Sequence, residues 1–488
     1  MIILELKIGK SEWIFLFLCM VLGIVAEEAF FRAEIGISYL VFITAFYGLF
    51  FYRYRGFSFA HQRFGYLVLI CIWLLAAGYF INDNSYFFAL NILVIPGLVF
   101  FHLILITSQK NIRWNKSAFI TYMLSKLWLA IKYNFQFLSQ LGTYFKQGVD
   151  ESKFLVWKKV LIGILISVPV LFVVLGLLIS ADSQFERMLG GIPQWFQMLD
   201  GEVIFRIMIV LFYTFVFFGL MQALIKKQIN VIIHDDKQKF TLDGIITLTF
   251  LVLINVVYVL FTIVQFKYFF SGTLQGDFTY AEYARKGFFE LLFVTLINLT
   301  ITILVLTYES KSTGYIKRII QSQLTILVIS SGVLLSSAFM RLSMYEEAYG
   351  FTFIRVMAHS FMIFLVVIFM YTLVKIWMEK LSLFHFYFIS ALLYYTLMNV
   401  INVEQIIVTN NLERYEQNGK VDIHYLNSLS HTGVLGLIDL YKVTPELPGL
   451  KDILIERKNE ANISHISWQS YNLKRIQAND ELRKLQIQ

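Results

Sequence analysis

Residues 340–360, MRLSMYEEAYGFTFIRVMAHS, decide how this chain is to be interpreted, because they place charged and aromatic side chains between two long apolar runs. Those runs, 321–340 and 352–374, are each long enough to cross a bilayer core, which takes roughly 20 apolar residues in a helix. In hydrocarbon, a helix satisfies every backbone hydrogen bond within its own segment. The stretch therefore predicts a polar turn between two transmembrane helices.

The same pattern repeats along the chain and predicts an all-α polytopic bundle with about eleven spans. Hydrophobic residues make up 58% of the sequence and charged residues only 15%, whereas soluble domains carry about 25% charged residues. This composition excludes a soluble globular protein. The predicted spans cover approximately 12–30, 36–52, 64–81, 86–107, 157–180, 203–224, 242–266, 287–308, 321–340, 352–374 and 382–401.

Loop charges predict the orientation of these spans. Cytoplasmic loops carry an excess of Lys and Arg, and most loop cations fall inside the cell when the N-terminus is placed there. The C-terminal tail then lies outside. The net charge of +8 is explained by this asymmetry, so we expect no nucleic-acid partner.

Two domains are predicted, a transmembrane helical domain over 1–401 and a small helical extramembrane tail over 402–488. Within the first, segment 108–156 places apolar residues such as Phe119, Met123 and Leu127 at near-helical spacing, with lysines beside them. This pattern is typical of helices that lie in the headgroup plane. We expect a membrane-resting connector, with a regulatory or docking role as the alternative.

Motifs for common chemistries are absent from the sequence, which has no phosphate loop, no HExxH and no GxSxG. Cys19 and Cys71 lie inside apolar runs, so neither a disulfide framework nor a CxxC site is indicated. We expect no cofactor, no metal and no conventional catalytic residue.

One partial match is to the CAAX-type intramembrane glutamate proteases, which the EExxxR of Glu27, Glu28 and Arg32 and the FxxxH ending at His61 resemble. In that family the glutamate and histidine would together activate a water. A base and its proton partner must lie within hydrogen-bond reach. The predicted topology places the two glutamates outside and His61 inside, so the protease interpretation is disfavoured.

Polar residues from several distant segments are predicted to meet at the outer face, some of them about one turn inside a span. Charges within spans are costly and usually find partners or water. The candidate residues of an outward-facing polar cavity are Asp182, Arg285, Glu290, Arg341, Tyr345, Glu346, Tyr349, Arg355 and His359.

Arg355 is the central charge of this candidate site, because an arginine does not lose its proton. We expect it to pair with Glu290, Glu346 or Asp182. The alternative is an ion-pair network that only pins loops to helix ends. Deeper in the spans, Asn255 and Asn298 are expected to hydrogen-bond between helices.

The stretch RLSMYEEAYGFTFIR resembles the R..LY..AYG.T..R signature of a bacterial family of polytopic proteins, domain of unknown function 4173, which overlaps with family 4153. Phe351 stands where that signature has Leu. The resemblance extends over nearly the whole chain and implies a multi-pass protein of the bacterial cytoplasmic membrane, with no activity attached. The matching positions are Arg341, Tyr345, Tyr349, Gly350, Thr352 and Arg355.

Three function classes stay open at this point. The favoured one is a non-enzymatic transporter-like or envelope-sensing component with an outward polar cavity, which could take a small-molecule or lipid ligand. The second is an embedded enzyme acting on lipid or envelope precursors, with Glu290, Glu346 or Asp182 working beside His359. The third is a scaffold that binds unidentified partner proteins through its outer tail.

Overall fold

The computed structural model describes residues 10–110, 112–144, 160, 163, 167, 174, 201–225, 241–270, 288–309, 312–463 and 466–486. These residues form sixteen helices, and no strand occurs among them, which confirms the all-α prediction. The first eleven helices are α1 Lys10–Phe30, α2 Ile37–Arg53, α3 Gln62–Ile81, α4 Ser85–Thr107, α5 Ser117–Tyr144, α6 Gly201–Ile225, α7 Gly244–Phe270, α8 Phe288–Tyr308, α9 Gly314–Tyr349, α10 Phe353–Trp377 and α11 Leu383–Val400. The tail holds α12 Val403–Asn418, α13 Ile423–Ser428, α14 Ser430–Val443, α15 Leu450–Ile463 and α16 Leu473–Lys484.

Nine helices of the described part are long and apolar enough to cross a membrane. Helix α2 is apolar but shorter, with 17 residues. These ten helices coincide with ten of the predicted spans, and the remaining prediction, 157–180, lies outside the described residues except at isolated positions. The chain is therefore a multi-pass integral membrane protein.

Helix α9 differs from the prediction, because it has 36 residues and continues through Tyr349 instead of ending near Met340. The predicted long polar turn is thus wrong, and the true turn is only Gly350–Thr352. The helix ends at Gly350, whose φ is 83°, a conformation that favours glycine. At 1.5 Å per residue, α9 is about 54 Å long, well beyond a hydrocarbon core of about 30 Å.

The tail holds this helix end in place. Arg414 of α12 donates from Nη2 to the carbonyl of Ala348 at 2.8 Å and from Nε to that of Glu347 at 3.2 Å. Asn411 clamps Phe351 from both sides, accepting from its N–H at 3.0 Å and donating to its carbonyl at 2.8 Å. The last carbonyls of a helix lack partners within it, and here the tail supplies them.

The chain divides into two compact units. The first contains Met1–Leu69, Pro96–Val231 and Ser467–Ser470, and the second contains Ile70–Ile95, Ile232–Ile466 and Tyr471–Gln488. The tail is thus grouped mainly with the second unit. The predicted domain boundary at 401/402 remains a prediction.

In the first unit, α1 and α6 pack antiparallel. Near one end of the pair, Arg206 Nε lies 3.5 Å from Glu27 Oε1, and near the other end Gln222 hydrogen-bonds to Glu12. Glu12 also pairs with Arg53 at 2.7 Å. Two polar contacts at opposite ends fix the register of these apolar helices.

Helix α5 follows α6 lengthwise rather than crossing it. Lys126 Nζ donates to the carbonyl of Ala223 at 2.9 Å, and eight residues later Asn134 Nδ2 donates to that of Phe215, also at 2.9 Å. Between them lies Gly219, where a Cβ would come within 2.7 Å of the Ala130 carbonyl. Helix α5 thus packs antiparallel to α6, which is a candidate span, and the headgroup-plane placement of segment 108–156 stays a prediction.

In the second unit, the tail helices share a hydrophobic core with residues at the ends of the spans. Ile407, Leu437 and Leu454 are fully buried there, together with Phe87 of α4 and Met398 of α11. Burial of apolar surface stabilises such a core by about 25 cal/mol per Å². The tail therefore packs on the span ends as an integral part of this unit.

Candidate functional site

Five of the nine candidate residues meet at the junction of α9 and α10. Arg341, Tyr345 and Glu346 lie in the last turns of α9, and Arg355 and His359 lie in the first two turns of α10. The three-residue turn brings these helix ends together. This group is called the α9–α10 cluster below.

Arg355 uses partners other than those expected. Its guanidinium lies 4.2 Å from the centre of the Tyr345 ring, a cation–π contact, and its Nη1 donates to the carbonyl of Gly350. It forms no ion pair with a carboxylate in the described part of the chain, so the expected pairing with Glu290 or Glu346 is absent there. The aromatic ring and the carbonyl oxygen neutralise part of the charge instead.

Glu346 is the buried acid of the α9–α10 cluster, with 3% of its surface exposed. Its Oε2 lies 3.0 Å from Nδ1 of His359. Its other oxygen, Oε1, is buried without a hydrogen-bond partner among the residues that the structure describes. An unsatisfied buried acceptor typically costs about 1–3 kcal/mol, which favours a hydrogen-bond donor from a ligand beside it.

The other candidates lie apart from this pair or outside the described ranges. Glu290 is exposed in the first turn of α8. Tyr349 is 57% exposed, and its ring centre lies 4.9 Å from that of Tyr345. Asp182 and Arg285 are not among the described residues. The nine residues thus remain a predicted set, within which the pairs with defined contacts are Tyr345–Arg355, Glu346–His359 and Tyr345–Tyr349.

A second polar cluster, which sequence reasoning missed, joins the α3–α4 turn and α4 to the end of α11. Asn82 Nδ2 donates to the carbonyl of Asn399 at 2.7 Å. Asn91 Nδ2 donates to Oδ1 of Asn399 at 2.7 Å, and Asn91 Oδ1 accepts from the Tyr395 hydroxyl at 2.7 Å. Together with Asn402 these asparagines line a cavity of about 10 Å³, close to the space that one water occupies.

Glu404 lies at the edge of this cluster, in the first turn of α12, and is 4% exposed. Its Oε1 accepts from Nδ2 of Asn84 at 3.0 Å, and its Oε2 accepts from the Ser430 hydroxyl. Beside it, Asp83 binds the imidazole Nδ1 of His431. We call Asp83, Asn84, Glu404, Ser430 and His431 the Glu404 cluster.

Burial raises the pKa of Glu404 to about 7 from an ordinary value of 4.5. The hydrogen bond from Ser430 opposes this rise, the negative charge of Asp83 adds to it, and the hydrogen bond from Asn84 opposes it again. Burial dominates because a carboxylate loses its hydration when it is enclosed. This carboxyl group therefore changes charge near neutral pH.

Local sequence explains each part of the Glu404 cluster but not the assembly. Asn402 caps α12 by accepting from the N–H of Gln405 at 3.0 Å, as Asn commonly does. Asn84 likewise accepts from the N–H of Phe87 at 3.1 Å, where α4 begins. Such residues are typical of ordinary turns and caps, so the only signal available was the acidic residue in a first helical turn.

The residues of the disfavoured protease match have separate partners. Glu28 pairs with Arg32 at 2.8 Å and accepts from Gln469 at 2.8 Å. His61 Nε2 lies 3.1 Å from the carbonyl oxygen of Ile112. No group of His, Cys, Asp and Glu suited to a metal ion occurs in the described part of the chain.

Comparison with known proteins places the chain in a family. Residues 69–440 match the family described as "Domain of unknown function (DUF4153)". Neither the curated proteins nor the solved structures contain a match. The matched range covers most of the chain and includes both the α9–α10 cluster and the Glu404 cluster. This integral membrane protein therefore belongs to the DUF4153 family.

Proposed function

We propose that this protein is a non-enzymatic envelope-sensing component of the bacterial cytoplasmic membrane, in which the Glu404 cluster holds or releases the tail according to conditions outside the cell. The observation that carries the proposal is the enclosed Glu404 carboxylate, which joins the α3–α4 turn through Asn84 and the start of α14 through Ser430. The predicted topology places all three segments on the outer side.

The ionisation of Glu404 couples the stability of the tail contacts to pH. Because its pKa is raised in the folded protein, the folded state binds the proton more tightly than the unfolded state does, and stability falls as pH rises from about 4.5 to about 7. Each pKa unit is worth about 1.4 kcal/mol, so the full loss is about 3 kcal/mol. The tail contacts are expected to be stable at acidic pH and less stable above neutral pH.

The neighbouring charged groups modulate this response. Asp83 is the acidic neighbour, and an ionised Asp83 disfavours ionisation of Glu404. His431 pairs with Asp83, and in its charged form it compensates that carboxylate. Asn84 and Ser430 remain neutral. Ionisation of Glu404 adds negative charge to the cluster as pH rises.

The test is amide hydrogen exchange of α12 and α14, measured on the full-length protein in nanodiscs between pH 5 and pH 8. After correction for the intrinsic pH dependence of exchange, protection in the wild type should fall as pH rises. Glu404→Gln, which mimics the neutral acid, should keep protection high throughout. Glu413→Gln, on the exposed side of the same helix, is the matched control and should behave as the wild type.

Two results would contradict this function. Protection of α12 and α14 that does not change between pH 5 and pH 8 in the wild type would remove the sensing response. Equal pH dependence in the wild type and in Glu404→Gln would show that another group is responsible.

A transporter-like function is the second candidate, and the Glu346–His359 pair with its unsatisfied Oε1 supports it. A buried acid and base beside a span are suited to pass a proton when a ligand binds. Proteoliposomes carrying a pH gradient would test this. Faster dissipation with the wild type than with Glu346→Gln would favour transport, whereas equal rates would disfavour it.

A further inference from the structure

A basic pocket opens in the first unit between the turn that precedes α3 and the end of α4. Phe59, Ala60, His61, Gln62, Arg63 and Lys110 line it, and its volume is about 300 Å³. No acidic residue is among the lining residues. The pocket therefore presents two permanent positive charges and an imidazole to whatever enters it.

All the residues with a permanent charge in the two loops that form the pocket are basic. Segments 53–63 and 108–116 contain Arg and Lys but neither Asp nor Glu. Arg53 is neutralised by Glu12, and Arg55 lies 5.0 Å from the centre of the Tyr52 ring. Arg63 and Lys110 are exposed and form no ion pair with any described residue. These two charges are therefore available for an anion from outside the protein.

The pocket walls are held by contacts of the turn before α3 with the end of α4 and with the loop that follows α4. The N–H of Ala60 donates to the carbonyl of Ile106 at 2.8 Å, and His61 Nε2 is fixed at 3.1 Å from the Ile112 carbonyl. His61 has a φ of 47°, which turns the chain into α3. Because the walls are connected, the concave shape exists before a ligand arrives.

The position of the pocket indicates the source of the anion. Helices α3 and α4 are both candidate spans, and the pocket lies where α3 begins and α4 ends. Ends of spans lie at the level of the lipid headgroups. Basic pockets at this level bind phosphate-bearing headgroups. The excess of cations in these loops is sufficient to orient the spans. Orientation alone, however, does not explain why the cations surround a concave site.

We propose that Arg63 and Lys110 bind the phosphate of an anionic phospholipid headgroup in this pocket. Arginine offers a planar fork of donors to phosphate oxygens and lysine a compact charge. His61 is part of the pocket wall. The predicted topology puts the pocket on the cytoplasmic side, where the anionic surface of a membrane attracts such groups.

Native mass spectrometry of the full-length protein tests the site, with phosphatidylglycerol and phosphatidylcholine as probes in the same detergent. The wild type should retain phosphatidylglycerol in preference to phosphatidylcholine. The double variant Arg63→Gln/Lys110→Gln should bind phosphatidylglycerol roughly 10- to 30-fold more weakly. Arg318→Gln, at an exposed arginine on another helix end, should bind as the wild type does.

Two further measurements keep the result unambiguous. Removal of loop cations can reverse the topology of a membrane protein. Cysteine accessibility must therefore show that the loops of the double variant lie on the same side of the membrane as in the wild type. If they do not, Arg63→Gln and Lys110→Gln are tested singly. Inorganic phosphate is the second probe. Equal retention of the two lipids, undiminished binding by the variants, or full displacement by millimolar phosphate would overturn the proposed lipid site.

Discussion

Glu346 and Glu404 are both almost fully buried, yet the protein treats the two carboxylates differently. Glu346 has a potential cation, His359, on one oxygen and no partner among described residues on the other. Glu404 has hydrogen bonds on both oxygens but an acid, Asp83, as its charged neighbour. A buried acid can thus be held by a histidine on one oxygen or by hydrogen bonds on both oxygens, and in the second arrangement burial raises the pKa of Glu404 to about 7.

Removal of His359 should give the largest effect. His359→Ala leaves Glu346 enclosed without its partner, and breaking a buried pair typically costs about 3–5 kcal/mol. The measurement is resistance to proteolysis and thermal unfolding in nanodiscs. His424→Ala, at an exposed histidine in the tail, should leave both unchanged. Equal stability of His359→Ala and the wild type would show that the pair contributes nothing.

Replacing each of the two glutamates with glutamine should give the next largest effect on stability, with opposite signs at the two positions. Glu404→Gln should stabilise the protein by up to about 3 kcal/mol above pH 7 and have little effect near pH 4.5, because the gain equals the ionisation cost that the amide avoids. Glu346→Gln should instead lose stability, because the neutral amide weakens the 3.0 Å contact with Nδ1 of His359 and leaves a buried polar group less well satisfied. Unfolding measured at both pH values checks the contrast. The same sign of change for both variants at pH 8 would refute it.

The Asn84 hydrogen bond should have a smaller effect. It lowers the pKa of Glu404, so Asn84→Ala should move the pH midpoint of tail protection upward, by about one unit or less. Hydrogen exchange of α12 as a function of pH measures this midpoint. Asn418→Ala, at the exposed end of α12, is the control. A downward shift would mean that Asn84 does not act on the ionised carboxylate.

The aromatic partner of Arg355 should give the smallest change. Tyr345→Phe keeps a ring under the guanidinium and should be close to neutral, whereas Tyr345→Leu removes the cation–π contact at a cost of about 0.5–2 kcal/mol. Thermal unfolding of the two variants checks the difference. If the phenylalanine variant is as unstable as the leucine variant, the hydroxyl matters and the ring contact does not.

The sequence was sufficient for features that depend on neighbouring residues. Long apolar runs predicted the spans, and the pairing of Asn298 Nδ2 with Ser331 Oγ at 3.0 Å and of Asn255 Nδ2 with Gln323 Oε1 at 2.7 Å confirms the expected bonds between helices. The α9–α10 cluster was found because its members lie within 20 positions of one another in the chain.

The sequence was insufficient where distant segments meet. Asn84 and Glu404 are 320 positions apart, and each alone is typical of a turn or a helix start. The length of α9 was missed because polar residues after Met340 were taken to end a span, although Arg, Glu and Ala are good helix formers. The packing of α5 was missed because an amphipathic pattern indicates an apolar face without saying what covers it.

The length of α9 has a mechanical consequence. About 24 Å of this helix extends beyond a hydrocarbon core of about 30 Å, and Arg414 fastens its far end to the tail. Residues 341–349, which follow the predicted span, account for about 14 Å of this length, so a tilt of 10° displaces the fastened end by about 2 Å relative to the edge of the core. A tilt of α9 would therefore move the tail residues that contact its end.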